Sequence, residues 1–419
     1  MLALGLTPAQ HRAFEATLAT DHEIRPRINV LNMDNQFRNG MSPWFIDGQV
    51  DFDGKGDLTT RTASVQLVDP DRTFNFDPDA PSDRVIYRNR HMRIFRDVLV
   101  PSYGWVEVPL ITGPCTGFSR NGGIVDIEVS GADYDWTTRN TWDELTLHKG
   151  DLITDCIKRI IRKRCSETVR MAIPDLTGKK YRLSKTKTLQ KMSHPFRYAK
   201  KLARSIDRQL YVDGWGHIRM RRISHGKPIF IFRDGDGGVI TGDPTRSFGD
   251  EEFFNGHWSH GRVLKGAKKP LESWAFLPRD HSLSPHNLAT GNIPHRKVAE
   301  SQNEGFREPS GIRTYTVRRL HEDAEEAVET AWESLIMPHL EPGDRVGVRT
   351  RIFHGNYNLW QFSVPLLPEG TSSNGFTDHV SHGVTRGGPV WTRRPHFEAS
   401  SGHQDPVEPK PKKKEKRRA

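Results

Sequence analysis

The chain is poor in the features that mark secreted, metal-stapled and membrane-spanning proteins. Its 419 residues include three cysteines, Cys115, Cys156 and Cys165. An odd count with no C-x-x-C spacing argues against a disulfide framework and against a structural zinc site. The expected thiols are buried and idle, as in a reducing cytoplasm. No run approaches the ~18 uninterrupted apolar residues of a membrane span. Met1-Leu2-Ala3-Leu4-Gly5-Leu6 is too short for a signal peptide and lacks its positive flank. A soluble product is expected, with no recognisable export signal and no stable membrane insertion.

Catalytic motifs are also missing. There is no G-x-S-x-G, Walker loop, H-E-x-x-H or strand-to-helix G-x-G-x-x-G. His321-Glu322-Asp323-Ala324-Glu325 starts like a zinc motif, but Glu325 stands where the second histidine belongs. It reads instead as an acidic first helical turn complementing the helix dipole. Asp51-Phe52-Asp53-Gly54-Lys55-Gly56-Asp57 places Lys55 and Thr62 where a calcium loop needs ligands, so turn chemistry explains it. The same holds for Asp234-Gly235-Asp236-Gly237-Gly238. His148 and His194 have no partners at ligand spacing. The ten tryptophans are scattered from Trp44 to Trp391, a pattern of core or interface packing. No catalytic, cofactor-binding or metal residue is assigned, and no cofactor is expected. A glycan hydrolase stays open as an alternative, because 52 acidic residues always supply a pair of carboxylates that sequence cannot place.

Net charge is +10, which invites a nucleic-acid reading. Seven cations (Lys410, Lys412, Lys413, Lys414, Lys416, Arg417 and Arg418) and one acid, Glu415, give the last ten residues +6. The other 409 residues therefore carry +4. Such a terminal run reads as a solvated tail or as an electrostatic grip on nucleic acid, lipid or an acidic partner.

What is present is strand pattern around a helical middle. Thr7-Pro8-Ala9-Gln10 opens a short helix with a capping box, and Ala13, Phe14 and Leu18 form a narrow stripe that docks on something. Ile28-Asn29-Val30 and Ser64-Val65-Gln66-Leu67-Val68 alternate as half-buried strands. The stretch 117–129 reads as a hairpin turning at Asn121-Gly122, with Val125, Ile127 and Val129 facing inward. Leu152, Ile153, Cys156, Ile157, Ile160 and Ile161 share one helix face, with Asp151 as its cap. A second helix over 195–208 turns Phe196, Ala199, Leu202, Ala203 and Ile206 inward, and 177–191 is loop. Residues 210–220 form a hairpin turning at Asp213-Gly214. Further strands are expected at 229–233, 252–260, 261–265, 344–352 and 359–364. The stretch 266–311 is aperiodic and Pro-rich, an arm reaching a neighbour. Ala324, Val328, Ala331, Trp332 and Leu335 mark a helix over 322–335, ended by Pro338. Beyond about residue 370 the composition is that of an extended tail. The fold class is mainly β with an α insert (α+β): short antiparallel strands, as in barrels or sandwiches, on either side of a helical region.

Several phrases carry a resemblance. One is Gly113-Pro114-Cys115-Thr116-Gly117-Phe118, running into the hairpin and on to Ser130-Gly131-Ala132-Asp133-Tyr134-Asp135-Trp136. Another is Phe196 through Met220, a helix feeding the Leu210-Tyr211-Val212-Asp213-Gly214 hairpin. The last is Leu340-Glu341-Pro342-Gly343-Asp344-Arg345-Val346, followed by Phe362-Ser363-Val364-Pro365-Leu366. In this order, across residues 24–370, the chain resembles the central tail-hub proteins of long-tailed bacteriophages, minor tail proteins of baseplate-hub type.

The resemblance implies two antiparallel β-barrel-like domains, 24–135 and 210–370 (the latter with the arm 266–311), flanking a small helical domain, 136–209. An N-terminal arm, 1–23, and a basic tail, 371–419, complete the chain. It implies a homotrimer whose six barrels match a sixfold tail tube, with work that is structural and not enzymatic. Implied partners are the distal tail protein, the tape-measure protein and other tail-tip proteins, with a transient contact to DNA. The implied place is the virion's tail tip, after synthesis in the host cytoplasm. A hexameric distal tail protein is the structural alternative.

Overall fold

The computed structural model describes residues 1–32, 36–54, 61–70, 90–138, 143–166, 169–178, 181–183, 185–206, 208–222, 227–242, 244–248, 254–263, 269–278, 284–286, 296–302, 309–326, 328–351, 354–368 and 380–386. It is mainly β with helices inserted. Two compact units form, one from Met1–Gly249 with Val328–Val390, the other described within Asp250–Ala327.

Local chemistry starts the first unit. Helix α1 (Pro8–Leu18) carries the expected capping box: the Gln10 N–H donates to Thr7 Oγ1 at 3.3 Å and the Thr7 N–H to Gln10 Oε1 at 2.9 Å. Its inward face, Phe14 and Leu18 with Thr17, is buried, so the arm docks on its own unit.

Eight strands follow: β1 (Ile24–Leu31), β2 (Phe37–Gly40), β3 (Phe45–Asp53), β4 (Arg61–Val68), β5 (His91–Val100), β6 (Gly104–Val106), β7 (Pro109–Asn121) and β8 (Ile124–Ser130). β4 alternates strictly, with Arg61, Ala63, Val65 and Leu67 buried and the residues between them exposed. β7 is long enough to serve two partners, pairing with β5 through its first half and with β8 through its second. A register shift between Cys115 and Gly117 marks the bulge where it changes direction, and apolar faces of both halves enter one core. The β7–β8 turn sits one residue later than expected. Asn121 pairs with Ile124, so Gly122-Gly123 is the loop and Gly122 takes the positive φ of 62°. Val125, Ile127 and Val129 face the core as read.

The helical region comprises α2 (Asp133–Thr138), β9 (Leu145–Leu147), α3 (Ile153–Ile160), β10 (Met171–Ala172), β11 (Lys187–Leu189), α4 (Pro195–Arg204), β12 (Gln209–Val212) and β13 (Ile218–Arg221). A second core collects Ile153, Cys156, Ile157, Ile160 and Ile161 with Phe196, Ala199, Leu202, Ala203 and Ile206. Leu210, Val212, Ile218 and Met220 join it, so this core extends through the β12–β13 hairpin. Three local readings are corrected. Asp151 does not cap α3; Leu152 holds that position, and the Asp151 carboxylate accepts from the His148 N–H at 3.1 Å. The stretch 177–191 contains β11, paired with β9. The hairpin turn spans five residues between the Val212–Ile218 pair, and Gly216 (φ 80°), not Gly214, supplies the left-handed backbone.

Strands β14 (Phe230–Arg233) and β15 (Thr245–Phe248) close the first stretch of this unit. The second unit holds β16 (Gly256–Val263), β17 (Pro270–Phe276), β18 (Val298–Gln302) and α5 (Pro309–Glu326). The single strand β16 stands where two were expected, and β17 and β18 lie inside the stretch read as aperiodic. His257, Ser259, Ser273 and Ala275 are fully buried, a mostly polar alternation that carries little apolar signal. Residues 321–325 fall in the last turns of α5, not in a first turn.

The chain returns to the first unit through β19 (Val328–Ser334), β20 (Arg345–Arg349), β21 (His354–Asn358), β22 (Gln361–Leu366) and β23 (Val380–Arg386). The helix expected over 322–335 is therefore displaced: helix ends at Glu326 and strand begins at Val328. Thr330, Trp332, Ser334 and Ile336 are buried in alternation, and this period of two overrides the helical reading. β22 pairs antiparallel with β3, and the Phe52 and Phe362 rings stack at 4.2 Å. A nine-stranded sheet results, in the order β2-β1-β5-β7-β8-β4-β3-β22 with β6 on β5. Among the described residues no sheet closes into a barrel. Nor is the later half purely antiparallel, since β14 runs parallel to β20 and β16 to β18.

Candidate functional site

The first unit's buried charges converge where β4, the β12–β13 hairpin and the turn before β20 meet. Arg61 lies on the inward face of β4 and is 3% exposed. Its Nη1 donates to the Leu110 carbonyl at 2.5 Å and its Nε to the Val212 carbonyl at 3.3 Å. Its Nη2 donates to Glu341 Oε2, and the guanidinium lies 4.8 Å from the Phe52 ring centroid. Glu341 is 1% exposed, and burial pushes its carboxyl pKa up while Arg61 opposes the rise. One step away, Asp344 Oδ2 accepts from the Glu341 N–H at 2.8 Å, and Oδ1 accepts from Arg221 Nη1 at 2.6 Å. Arg221 also donates to Gln209 Oε1 at 3.1 Å and to the Pro342 carbonyl.

Glycines make this approach close. Gly343 has a φ of 90°, and a Cβ there would stand 2.6 Å from Gln209 Oε1. At Gly214 a Cβ would stand 1.9 Å from the Pro109 carbonyl oxygen, so the hairpin turn rests directly on β7. Thr112 Oγ1 donates to the Gly214 carbonyl at 2.7 Å, and Arg93 bridges Thr112 Oγ1 (2.8 Å) and the Trp215 carbonyl (3.2 Å). Asp213 organises the turn itself, accepting from the His217 N–H at 2.9 Å and from Arg219 Nε at 2.7 Å.

What this arrangement does is hold. A paired, hydrogen-bonded buried ion cluster penalises any separation of its elements, because each partner left alone is a desolvated charge. Sequence reading missed Arg61, Arg93, Arg221, Glu341 and Asp344 as a set. A signal existed for Arg61, a charge in phase with Ala63, Val65 and Leu67. The phrase Leu340–Val346 also proves to be the buried turn of this junction.

The residues singled out from sequence lie elsewhere. Lys410, Lys412, Lys413, Lys414, Lys416, Arg417 and Arg418 lie outside the described residues. Cys115 and Cys156 are buried, Cys165 is half-buried, and all three are free. Burial pushes their thiols up, to about 11 for Cys115 and about 12 for the others. Asp51 sits on β3, accepting from Ser363 Oγ at 2.5 Å and Gln49 Nε2 at 2.6 Å. Asp234 Oδ2 accepts from the Arg351 N–H at 2.9 Å, with Gly235 and Gly237 at positive φ, as turn chemistry requires. Among the described residues no three His, Cys, Asp or Glu side chains group as metal ligands.

No protein-family model matches the chain, and no curated protein matches it. Solved structures do. A tail protein from Neisseria meningitidis MC58 superposes with a TM-score of 0.58 at 9% identity, covering 84% of this chain and 95% of that one. The chain has the fold of a phage tail protein. The 43 kDa tail protein of prophage MuSo2 from Shewanella oneidensis matches at TM-score 0.52 and 11% identity, over 82% of this chain and 94% of its own. Prophage tail protein gp18 from Listeria monocytogenes EGD-e matches at TM-score 0.52 and 10% identity, over 86% and 93%. At these identities the likeness is one of fold, and it spans nearly the whole of each tail protein.

Proposed function

We propose that this chain is a structural, non-enzymatic subunit of a phage tail tip, forming a trimeric hub ring that joins or closes the tail tube and anchors other tail-tip proteins. The observation that carries this reading is the tail-protein fold, matched over 93–95% of three such proteins. The junction at Arg61 and Glu341 suits the work. A ring subunit transmits load between neighbours, and the β12–β13 hairpin, which shares the core of the helical region, is tied through Arg221–Asp344 and the Arg61–Val212 contact so that it moves with the sheet as one piece. In this reading the strand-rich parts of the first unit form the ring about the helical region. The distal tail protein and the tape-measure protein are the neighbours.

The test is the mass of the full chain in solution, alone and mixed with the other tail proteins. A species of three copies is expected. Six copies would replace the hub with a distal-tail ring. A monomer that never enters an assembly would end the reading. Clearing of host peptidoglycan that one carboxylate substitution abolishes would replace it with a glycan hydrolase.

A further inference from the structure

The charge of +4 on the 409 residues before the basic tail is unevenly placed. Residues 136–209 contain 19 lysines and arginines against 7 aspartates and glutamates, a net of +12. The whole chain carries +10, so removing this +12 and the tail's +6 leaves −8 on everything else. The helical region is thus a basic body in an acidic remainder, and it is more basic than the tail.

The cations are ordered. On α4, Arg197, Lys201 and Arg204 fall at i, i+4 and i+7, one face of the helix, and no acid interrupts the sequence Pro195–Arg204. Lys201 and Arg204 are exposed and Arg197 is half-buried. This stripe runs about 10 Å along the axis at 1.5 Å per residue. Packed beside α4 is the π turn Ile161–Cys165, which adds exposed Arg162 and Lys163. Among the described residues Asp175 pairs with Lys158, Asp151 with Arg159 at 3.2 Å, Asp143 with Arg164 at 3.1 Å and Asp133 with Lys200 at 3.7 Å.

A line of cations on a rigid helix complements a line of phosphates. The arginine forks add bidentate donors that suit phosphate oxygens. The alternative polyanion, a lipid surface, is disfavoured by the same helix. Interfacial helices insert an apolar face beneath their basic one. In α4 the apolar residues Phe196, Ala199, Leu202 and Ala203 are all buried in the domain core, and Tyr198 is half-buried against it.

We infer that the outer face of α4 and the adjoining π turn form a sequence-independent contact site for the phosphate backbone of double-stranded DNA. The site does not depend on the ring reading. A folded surface, not the terminal lysine run, carries the contact.

The experiment is fluorescence anisotropy of a labelled random-sequence duplex with the full chain, across a salt series. Affinity should fall steeply with salt. The charge reversals Arg162→Glu, Lys163→Glu, Lys201→Glu and Arg204→Glu, made together, should flatten the log–log salt slope by about 3.6, at 0.9 per phosphate contact. A chain lacking 409–419 should keep most of its slope. Should the quadruple variant not fold, the pairs Arg162→Gln/Lys163→Gln and Lys201→Gln/Arg204→Gln read the same quantity, each expected to flatten the slope by about 1.8. Unchanged binding in the reversal variants, or loss of binding on tail deletion alone, would overturn the inference. So would tighter, reversal-sensitive binding to phosphatidylglycerol vesicles than to the duplex.

Discussion

Acidification should loosen helix α1, and His339 sets the size of the effect. His339 is 0% exposed, and neither ring nitrogen has a hydrogen-bond partner among the described residues. Its ring packs edge-on against Phe14 at 5.3 Å, His11 at 5.9 Å and Phe230 at 6.1 Å. Glu15 Oε1 is 3.8 Å from its Nε2. Burial, reinforced by the positive charges of His11 and the Met1 amine and opposed by Asp344, holds its pKa down at about 3. The ordinary value is 6.5, so the neutral ring stabilises the docked helix fully above pH 6.5. That contribution drains away at about 1.4 kcal/mol per pH unit as pH falls toward 3. Between pH 8.0 and 5.0 the loss is about 2 kcal/mol, or about 30-fold in the opening equilibrium. Hydrogen exchange of the α1 amides, corrected for intrinsic rates, reads that equilibrium directly. Protection should drop about 30-fold over this interval in the native chain and stay level in His339→Phe. An equal drop in the His339→Phe variant would refute the reasoning.

Three further outcomes follow from the same physics. Arg61→Met alone should cost about 3–5 kcal/mol by stranding Glu341, whereas Arg61→Met with Glu341→Met should cost far less; chemical unfolding of both variants measures the gap. Gly214→Ala drives a Cβ into the Pro109 carbonyl and should cost about 3 kcal/mol, read as a lowered unfolding midpoint and faster proteolysis within 213–217. With thiols at about 11 and about 12, native Cys115, Cys156 and Cys165 should react with a disulfide reagent at pH 8 at least ~100-fold more slowly than in the unfolded chain.

Legibility in the sequence follows the range of the interaction. The α1 capping box, the β4 alternation and the apolar faces of α3 and α4 are set within a few residues, and each is visible in the chain. The stretch 322–335 misleads because Val328, Ala331, Trp332 and Leu335 fit a helical period. The buried series is Thr330, Trp332, Ser334 and Ile336, whose two polar members hide a strand from an apolar count. β17 is hidden likewise, its buried residues being Ser273 and Ala275. The junction is the extreme case: Arg61 and Glu341 are 280 residues apart, and only the return of the chain to the first unit brings them together. The α4 stripe was within reach, since its spacing is local, but a whole-chain charge balance averages it against an acidic remainder.

The proposed role is tested most directly by a cryo-EM reconstruction of tails from particles that carry this chain. Three copies are expected in a ring at the tip of the tail tube, each with β22 on β3 and the Arg61–Glu341 junction closed. Intact tails without the chain, or copies of it away from the tip, would contradict it.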